Sequence, residues 1–483
     1  MFRRRRKLVR LLSALDEATS YAQWSAIAAD IDTLSGLDTW RADADAPHLD
    51  VAGIREDVTR LASYRERGDF AAVLSRLTAT IHRHQGDVTT PALFDTALTG
   101  PPALVEEWLS AVEETIRWMA DAPGVPGDDK LRLVEHSARV HGRSALLLSG
   151  GATLGFYHLG VVKALWEAGL MPEVLCGASM GAMIAAGIAT RTDDELAVLF
   201  ADHSDVRRVG LRAVGLSAMK TQGALLDPAV MLETVRHNVG YYTFRQAFER
   251  TGRVLNVSIS PTRDRQKPRI LNHLTAPDAL ICVAALASGA VPVAFPPVML
   301  KALDADGREV PYLARERWID GSMQGDLPKM RLSRLHNVNH FIVSQTNPHV
   351  LPFLHLRQQG GLLPMAATLA GKSLHAQSRQ LLQVIAKVAE PTPLSQWVGI
   401  AQGLADQDYR GDINLHPRLD LRLFRRVFSN PTPAELDRFI LEGERACWPR
   451  LEMIRQHTRI SRVFSEIIGL LKDRQRAGWR SAG

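Results

Sequence analysis

The chain has 483 residues, of which 46% are hydrophobic and 23% are charged. This composition is typical of a soluble globular protein with one large domain or two to three smaller ones. The three cysteines are far apart in the sequence, which argues against a disulfide framework or a metal knuckle and favours a reducing, cytoplasmic location. The formal net charge is +6, with basic residues concentrated at both ends.

The first predicted element is a short amphipathic helix with a polybasic start. Residues 1–10, MFRRRRKLVR, hold six basic side chains, and four leucines follow helical spacing: Leu8, Leu11, Leu12 and Leu15. Polar residues interrupt this stretch, so it is not predicted to be a signal peptide. Two interpretations stay open at this point. The helix packs on its own protein, or it binds peripherally to a membrane or lipid-droplet surface.

Residues 1–140 are predicted to form a helical N-terminal accessory domain. The segment TSYAQWSAIAADIDTLSG has an N-cap at Ser20, a stop at Gly36, and an apolar face of Trp24, Ile27, Ala28 and Ile31. Residues 103–120 repeat the pattern with Val105, Trp108, Leu109, Val112, Ile116 and Met119. No group of residues with catalytic spacing is evident in this part of the sequence.

The pattern changes at residue 144. SALLLSGGATLGFYHLGVVKAL and EVLCGASMGAMIAAGIAT each predict a buried strand, a loop and a helix. Two such units predict an α/β fold with a mainly parallel central sheet, whose loops meet at the carboxyl ends of the strands. Further strands are predicted at RVLNVSISP, ERWID and NHFIVSQTNP, and a hairpin at Asp306-Gly307. We expect a catalytic domain over 144–350 and a helical C-terminal region over 351–483, with a last helix from Pro433.

Residues 177–181, Gly-Ala-Ser-Met-Gly, match the G-x-S-x-G pattern of a nucleophile elbow. A strand that turns abruptly into a helix would hold Ser179 exposed on a strained turn. Gly177 and Gly181 would leave room around it, and the helix N-terminus would favour developing negative charge. The alternative interpretation is an ordinary tight turn, because so short a pattern also arises by chance.

The loop LSGGATLG, residues 148–155, also has two interpretations. It could hold a phosphate group, but Ala152 stands where a dinucleotide fingerprint requires glycine, and the Lys-Ser pair of a P-loop is absent. It could instead form an oxyanion hole from the backbone N–H groups of Gly150, Gly151 and Ala152. The oxyanion hole is favoured because adjacent loops of one sheet can bring Gly151 beside Ser179.

The segment ERWIDGSMQGDLP ends a predicted strand at Asp320, and Gly321 follows it. A carboxylate at this position could accept the Ser179 proton directly, without a histidine. Aspartate in a turn is also common for purely structural reasons. Composition and spacing leave both interpretations open.

Together, LLLSGGATLGFYHLGVVKAL, GASMGA and WIDGSMQGDLP resemble, in this order, the motifs of the patatin-like phospholipase family. The resemblance implies a three-layer fold and a Ser-Asp dyad, with Ser179 as nucleophile and Asp320 as base. It also implies an oxyanion loop at Gly150, Gly151 and Ala152 and motif glycines at Gly155, Gly177, Gly181 and Gly321. Weaker similarity elsewhere resembles the triacylglycerol lipases of this family that have a helical N-terminal domain.

The chain departs from the family pattern at two places. Ala152 replaces a glycine, and its N–H group can serve as a donor if its φ is negative. Ser322 stands where many relatives have alanine or glycine, which is a small change.

The expected function is a serine lipid acyl hydrolase, of triacylglycerol lipase or phospholipase A type, that forms an acyl-enzyme. Alternatives are a Ser-His-Asp carboxylesterase with His349 as the candidate base, a lysophospholipid acyltransferase, and a non-enzymatic lipid-binding protein. The expected partner is a lipid substrate at a membrane or lipid-droplet surface. Neither nucleic acid nor a metal or other cofactor is expected, and the sequence leaves a homo-oligomer open.

Overall fold

The structure is a computed structural model that describes residues 2–42, 49–215, 224–263, 266–348, 350–351, 409–418 and 427–482. Helices fill the region before the sheet: α1 (Phe2–Glu17), α2 (Tyr21–Ser35), α3 (Leu37–Ala42), α4 (Val51–Glu66), α5 (Phe70–Val88), α6 (Ala92–Asp95), α7 (Ala103–Asp121) and α8 (Gly127–His141). Ser20 caps α2 by accepting a hydrogen bond from the Gln23 N–H, and Gly36 ends it with a φ of 77°. The apolar face predicted for α7 is buried. The sequence predictions for these two helices are confirmed.

The polybasic start of the chain is helical, as predicted, and packs against α2. Leu8, Leu11 and Leu15 are half-buried. In contrast, Val9 is 61% exposed and Leu12 is 46% exposed. The predicted leucine stripe is therefore divided, with one side packed on the protein and one side open to solvent.

The central sheet is mainly parallel. The strands are β1 (Arg143–Leu148), β2 (Val174–Gly177), β3 (Val254–Pro261), β4 (Arg269–Leu271), β5 (Lys301–Leu303), β6 (Glu309–Pro311), β7 (Trp318–Asp320), β8 (Val338–Ser344) and β9 (Ile413–Leu415). Seven strands form one sheet in the order β4-β3-β2-β1-β8-β9, with β7 also paired to β3. The β1–β2, β2–β3, β1–β8 and β8–β9 pairs are parallel. The separate β5–β6 pair is the hairpin predicted around Asp306-Gly307.

Helices cover both faces of this sheet, which explains why its strands are apolar on both sides. The helices are α9 (Tyr157–Glu167), α10 (Met180–Ala189), α11 (Asp193–Ala201), α12 (Pro228–Val239), α13 (Phe244–Thr251), α14 (Ile281–Ser288), α15 (Ser322–Gly325), α16 (Lys329–His336), α17 (Pro433–Cys447) and α18 (Leu451–Ala482). Leu146 and Leu148 of β1 belong to the core on one face, whereas Ala145 and Leu147 belong to the core on the other. The three-layer α/β architecture is confirmed.

The C-terminal region adds to both the sheet and the helical layers. Helix α17 begins at Pro433, as predicted, and lies against α9 so closely that a Cβ at Gly160 would overlap the backbone of Ile440. Helix α18 contacts α7 and α8. The expectation of helix alone after residue 350 is wrong for β9, because three residues are too short to show a strand pattern in sequence. Residues 352–408 lie outside the described part of the chain.

Candidate active site

Ser179 lies on a sharp turn between β2 and α10. Its φ of 54° and ψ of −127° are strained for a residue with a side chain. A Cβ at Gly177 would overlap the backbone of Gly181, and one at Gly181 would overlap the end of β1, so this turn requires both glycines. The predicted strain is confirmed, but the predicted exposure is not, because Ser179 is only 6% exposed. Its side chain lines a partly open cavity.

Asp320 ends β7, which runs antiparallel to β3. Strand β3 extends beyond β2, since Gly177 pairs with Val257 whereas Asp320 pairs with Ile259. The chain after β7 therefore returns to the level of the elbow, where Gly321 packs against Ser258 too closely for a side chain. The sequence predicted that Asp320 ends a strand at this edge, and the opposite direction of that strand is what brings the carboxylate back toward Ser179.

The Asp320 carboxylate is fully buried and its two oxygens have different surroundings. Oδ1 accepts hydrogen bonds from the Ser322 N–H at 2.7 Å and from the Ser322 hydroxyl at 2.6 Å. Oδ2 has no hydrogen-bond partner. Burial raises the pKa of Asp320 to about 6, while the nearby hydroxyl of Ser179 and the donors of Ser322 act to lower it. Ser179 is close enough to influence this carboxylate, although no hydrogen bond of ordinary geometry joins it to Oδ2.

Ser288 links the elbow to the aspartate, and the sequence analysis missed it. Its hydroxyl accepts a hydrogen bond from the Ser179 N–H at 2.9 Å and donates one to the Ser258 carbonyl at 2.6 Å. Its carbonyl accepts from the Gly321 N–H at 3.1 Å. Because the residue ends the apolar helix α14, only the three-dimensional structure reveals that it joins the two motifs.

The glycine loop lies beside the elbow, but one predicted oxyanion donor is already occupied. The Gly150 N–H donates to Asp326 Oδ1 at 2.8 Å, so Gly150 is wrong as an oxyanion donor in this structure. The N–H groups of Gly151 and Ala152 have no hydrogen-bond acceptor among the described residues. A Cβ at Gly151 would overlap Thr346, which explains the need for glycine there. The other loop glycine, Gly155, packs against Met180 just as closely.

Ala152 has a φ of 47°, so the condition of negative φ that the sequence analysis set for it is not met. The left-handed conformation costs an alanine energy that a glycine would not lose. Ala152 begins a short 3₁₀ helix, and the next residue, Thr153, is bonded through its N–H to the Val427 carbonyl, which helps to hold this conformation.

Asp326 is a second buried carboxylate that sequence reasoning passed over. Its Oδ2 accepts a hydrogen bond from Asn347 Nδ2 at 2.6 Å, while Oδ1 holds Gly150. Burial raises its pKa to about 8, and the charge of Asp320 adds to this shift. Asp326 is the second aspartate of the motif DGSMQGDLP, but only the fold shows that this side chain reaches the glycine loop.

A partly open cavity begins at Ser179, with about 1000 Å³ of space including its mouth, and is lined mainly by apolar side chains. Its lining includes residues of α10 at helical spacing: Met180, Met183, Ile184, Gly187, Ile188 and then Arg191. Because these positions share one face of the helix, the cavity follows α10 from Ser179 at its N-terminus to Arg191 beyond its C-terminus. The opposite wall comes partly from Met231 and Val235 of α12.

No described histidine forms a hydrogen bond with Ser179 or lines the cavity that begins there. His158 is buried, with Nδ1 2.7 Å from the Ser344 hydroxyl and Nε2 3.0 Å from the Ser149 carbonyl. It therefore holds the ends of β1 and β8 together, in agreement with a packing role. His349 lies outside the described residues. Within the described ranges, no group of His, Cys, Asp or Glu has the geometry of a metal site, and no helix is long and apolar enough to cross a membrane.

Comparison with known proteins identifies the family of this chain. Residues 146–330 match the model of the patatin-like phospholipase family, and residues 1–139 match a domain of unknown function, DUF3336. A patatin-like phospholipase domain-containing protein of Neosartorya fischeri is 31% identical over 96% of this chain and 69% of its own length. The chain belongs to the patatin-like phospholipase family.

Two further relatives extend the comparison. A patatin-like phospholipase domain-containing protein of Chaetomium globosum is 32% identical over 94% of this chain, which covers only 56% of that protein. Triacylglycerol lipase ptl3 of Schizosaccharomyces pombe is 28% identical over 92% of this chain and 94% of its own length. The solved structure of VipD from Legionella pneumophila matches 65% of this chain and 67% of its own, at 13% identity and a TM-score of 0.31, too distant to add to the argument.

Proposed function

We propose that this protein is a serine lipid acyl hydrolase that releases fatty acids through an acyl-Ser179 intermediate, with Asp320 as the only base. One observation carries the proposal: the buried Asp320 carboxylate has an oxygen without a partner, beside a serine on a strained elbow at the start of an apolar cavity. Membership of the patatin-like phospholipase family supports the same conclusion.

The proposed reaction has two halves. Ser179 Oγ attacks the ester carbonyl carbon while its proton passes to Asp320, and the protonated Asp320 then gives that proton to the departing alcohol. Water next attacks the acyl-enzyme, losing a proton to Asp320, and the fatty acid leaves as Ser179 recovers its proton. The N–H groups of Gly151 and Ala152 would stabilise the oxyanion in both halves, each worth about 3–4 kcal/mol by analogy with other serine hydrolases.

The electrostatics of Asp320 suit this role. A carboxylate with a pKa of about 6 is mostly ionised at pH 7 and is a stronger base than an ordinary aspartate. The two hydrogen bonds from Ser322 fix its orientation while leaving Oδ2 for the serine proton. Activity should therefore rise with pH through about 6 as Asp320 loses its proton.

The cavity favours a long acyl chain as substrate. At 1.5 Å per residue, the distance from Ser179 to Arg191 along α10 is about 18 Å. An extended hydrocarbon rises about 1.3 Å per carbon, so the lining residues along α10 match the length of a chain of about 14 carbons. The name of the Schizosaccharomyces pombe relative suggests triacylglycerol as one candidate source of that chain, and phospholipid is the other.

The N-terminal helix supplies a candidate contact with an anionic lipid surface. Residues 3–7 are exposed and basic, and Val9 and Leu12 present apolar side chains to solvent on the same helix. Basic residues near an anionic bilayer contribute about 1 kcal/mol each. We propose that this side of α1 binds the lipid surface, while region 1–140 flanks the catalytic domain at 144–350 and region 351–483 adds β9 to its sheet.

Three measurements test the proposal. Purified protein should release fatty acid from triolein or phosphatidylglycerol, and a fluorophosphonate probe should label Ser179. Ser179→Ala should abolish both at an unchanged Tm, and retention of more than a few per cent of the activity would place the nucleophile elsewhere. Transfer of the acyl group to an added lysophospholipid without fatty acid release would identify the acyltransferase alternative.

The surface contact needs its own variant. Val9→Glu with Leu12→Glu should weaken binding to phosphatidylglycerol vesicles, increasingly so at high salt, while hydrolysis of a soluble butyrate ester persists. Val140→Glu is the matched control, because Val140 is 51% exposed on α8. Equal vesicle binding by all three proteins would contradict this part of the proposal.

A further inference from the structure

Residues 427–431 border the candidate active site, and we call them the 427–431 segment. They lie well after residues 146–330, the part of the chain that matches the model of the patatin-like family. Phe428, Ser429, Asn430 and Pro431 line the cavity that begins at Ser179. In sequence they lie between β9 and α17.

One end of this segment is bonded to the glycine loop. The Thr153 N–H donates to the Val427 carbonyl at 3.0 Å, and the Thr153 hydroxyl donates to the Ser429 carbonyl at 2.7 Å. Thr153 directly follows Ala152, which has a left-handed φ of 47° and carries one of the two N–H groups without an acceptor among the described residues. The 427–431 segment therefore holds the loop where its chain turns into the 3₁₀ helix.

The other end is bonded to the far wall of the cavity. Asn430 Oδ1 accepts hydrogen bonds from the N–H groups of Gly210 at 3.1 Å and Leu211 at 3.0 Å. Asn430 Nδ2 donates to the Leu211 carbonyl at 2.8 Å. Gly210 and Leu211 both line the cavity, so a single side-chain amide fixes the backbone of that wall.

We propose that the 427–431 segment is part of the acyl-binding site, with Asn430 as a positioning residue for long-chain substrates and Phe428 as a contact for the lipid. This rests on the proposed function and names a determinant of its substrate class. Phe428 is large, apolar and 59% exposed, and it lines the cavity, so a lipid chain that enters would cover it. Loss of the Asn430 amide should loosen the wall that an acyl chain contacts, and a short ester would depend on it less.

The test compares two asparagines. Asn414 makes a similar paired contact, accepting from the Gly411 N–H at 2.9 Å and donating to the Gly411 carbonyl at 2.9 Å, but it lies on β9. Asn430→Ala should raise KM for a p-nitrophenyl myristate ester roughly fivefold or more, well beyond its effect on the butyrate ester. Asn414→Ala should leave both KM values at wild-type levels. Asn430→Asp keeps the acceptor oxygen and should restore part of the myristate KM.

Binding of the fluorescent fatty acid cis-parinaric acid provides a readout that needs no catalysis. Asn430→Ala and Phe428→Ala should weaken it, and Asn414→Ala should not. Equal effects of Asn430→Ala and Asn414→Ala, or equal changes for the myristate and butyrate esters, would overturn the proposal. A wild-type protein without esterase activity or Ser179 labelling would count against the proposed function, and the parinaric acid comparison would still decide the role of the segment.

Discussion

Buried ionisable groups lie at both ends of the parallel strands, which we call the carboxylate edge (the carboxyl ends) and the histidine edge (the amino ends). Burial disfavours the negative charge of the aspartates at the carboxylate edge and the positive charge of the histidines at the histidine edge. At the carboxylate edge, burial raises the pKa of Asp320 to about 6 and that of Asp326 to about 8. At the histidine edge, burial lowers the pKa of His141 to about 4 and that of His457 to about 3, and it also lowers the pKa of His340. These histidines line a partly open cavity between the sheet and the terminal helices. Its space, including the mouth, is about 670 Å³.

The surroundings of the buried groups differ between the two edges. His340 lies 3.0 Å from the Ser144 hydroxyl through Nδ1 and 3.1 Å from His457 through Nε2, so neutral imidazoles bond to their neighbours. One nitrogen of His141, one nitrogen of His457 and Oδ2 of Asp320 all lack a hydrogen-bond partner among the described residues. However, Asp320 lies beside the hydroxyl of Ser179 on its strained turn. The groups with shifted pKa values at the histidine edge should therefore affect the stability of the fold, whereas those at the carboxylate edge should affect the rate of ester hydrolysis.

The largest expected effect is at the carboxylate edge. Asp320→Asn keeps the shape of the side chain but removes the proton acceptor, so kcat for ester hydrolysis should fall by about a thousandfold or more with little change in Tm. Steady-state kinetics and thermal unfolding measure the two quantities.

A matched aspartate at the opposite edge serves as the control for this change. Asp412 accepts a hydrogen bond from the Phe341 N–H at 2.7 Å and lines the histidine cavity. Asp412→Asn should leave kcat at the wild-type value. Near-wild-type activity in Asp320→Asn, or similar losses in both variants, would end the dyad proposal.

Gly151→Val should have the next largest effect. Its side chain would overlap Thr346 and displace the N–H groups of Gly151 and Ala152, so kcat should fall about a hundredfold while KM changes less. Gly469→Ala in α18, where an added Cβ meets no atom, is the control. An unchanged kcat in folded Gly151→Val would remove the oxyanion assignment and revive the phosphate-loop interpretation.

The sequence predicted those parts of the site that depend on local patterns. The elbow at Ser179 and the strand end at Asp320 each lie within one short segment, but spacing indicated a role only for Ser179. The role of Asp320 followed from the resemblance of the three motifs, in their order, to the patatin-like family. The role of Gly150 could not be predicted, because its N–H group is taken by Asp326, 176 residues later in the chain. Ser288 and Asn430 were missed for the same reason: their functions consist of contacts between segments that only the fold brings together.

At the histidine edge, acid should reduce stability. Histidine in an unfolded chain has a pKa of about 6.5, so between that pH and about 4 the unfolded state binds a proton that folded His141 excludes. Stability is then lost as the pH falls, by about 2 kcal/mol for one such group between pH 6.5 and 5. Urea unfolding of His141→Phe should show a smaller loss over this range, with wild-type kcat at pH 7.5. Parallel acid losses in the two proteins would show that His141 does not titrate as proposed.

The smallest expected effect concerns the second carboxylate of the site. Because the pKa of Asp326 is raised to about 8, its ionisation above that pH places a new negative charge beside Asp320 and the loop at Gly150. That charge opposes the oxyanion, so wild-type kcat should decline severalfold at alkaline pH after its rise near pH 6. Between the pKa of an unfolded aspartate, about 3.9, and about 8, folded Asp326 holds a proton that the unfolded chain has lost. Stability therefore falls as the pH rises over that range, the opposite direction to the histidine edge. Asp326→Asn can still accept the Gly150 hydrogen bond but stays neutral, so the alkaline decline should disappear while the rise near pH 6 remains. A pH–kcat profile of the two proteins decides this, and an alkaline decline that persists in Asp326→Asn would assign it to another group.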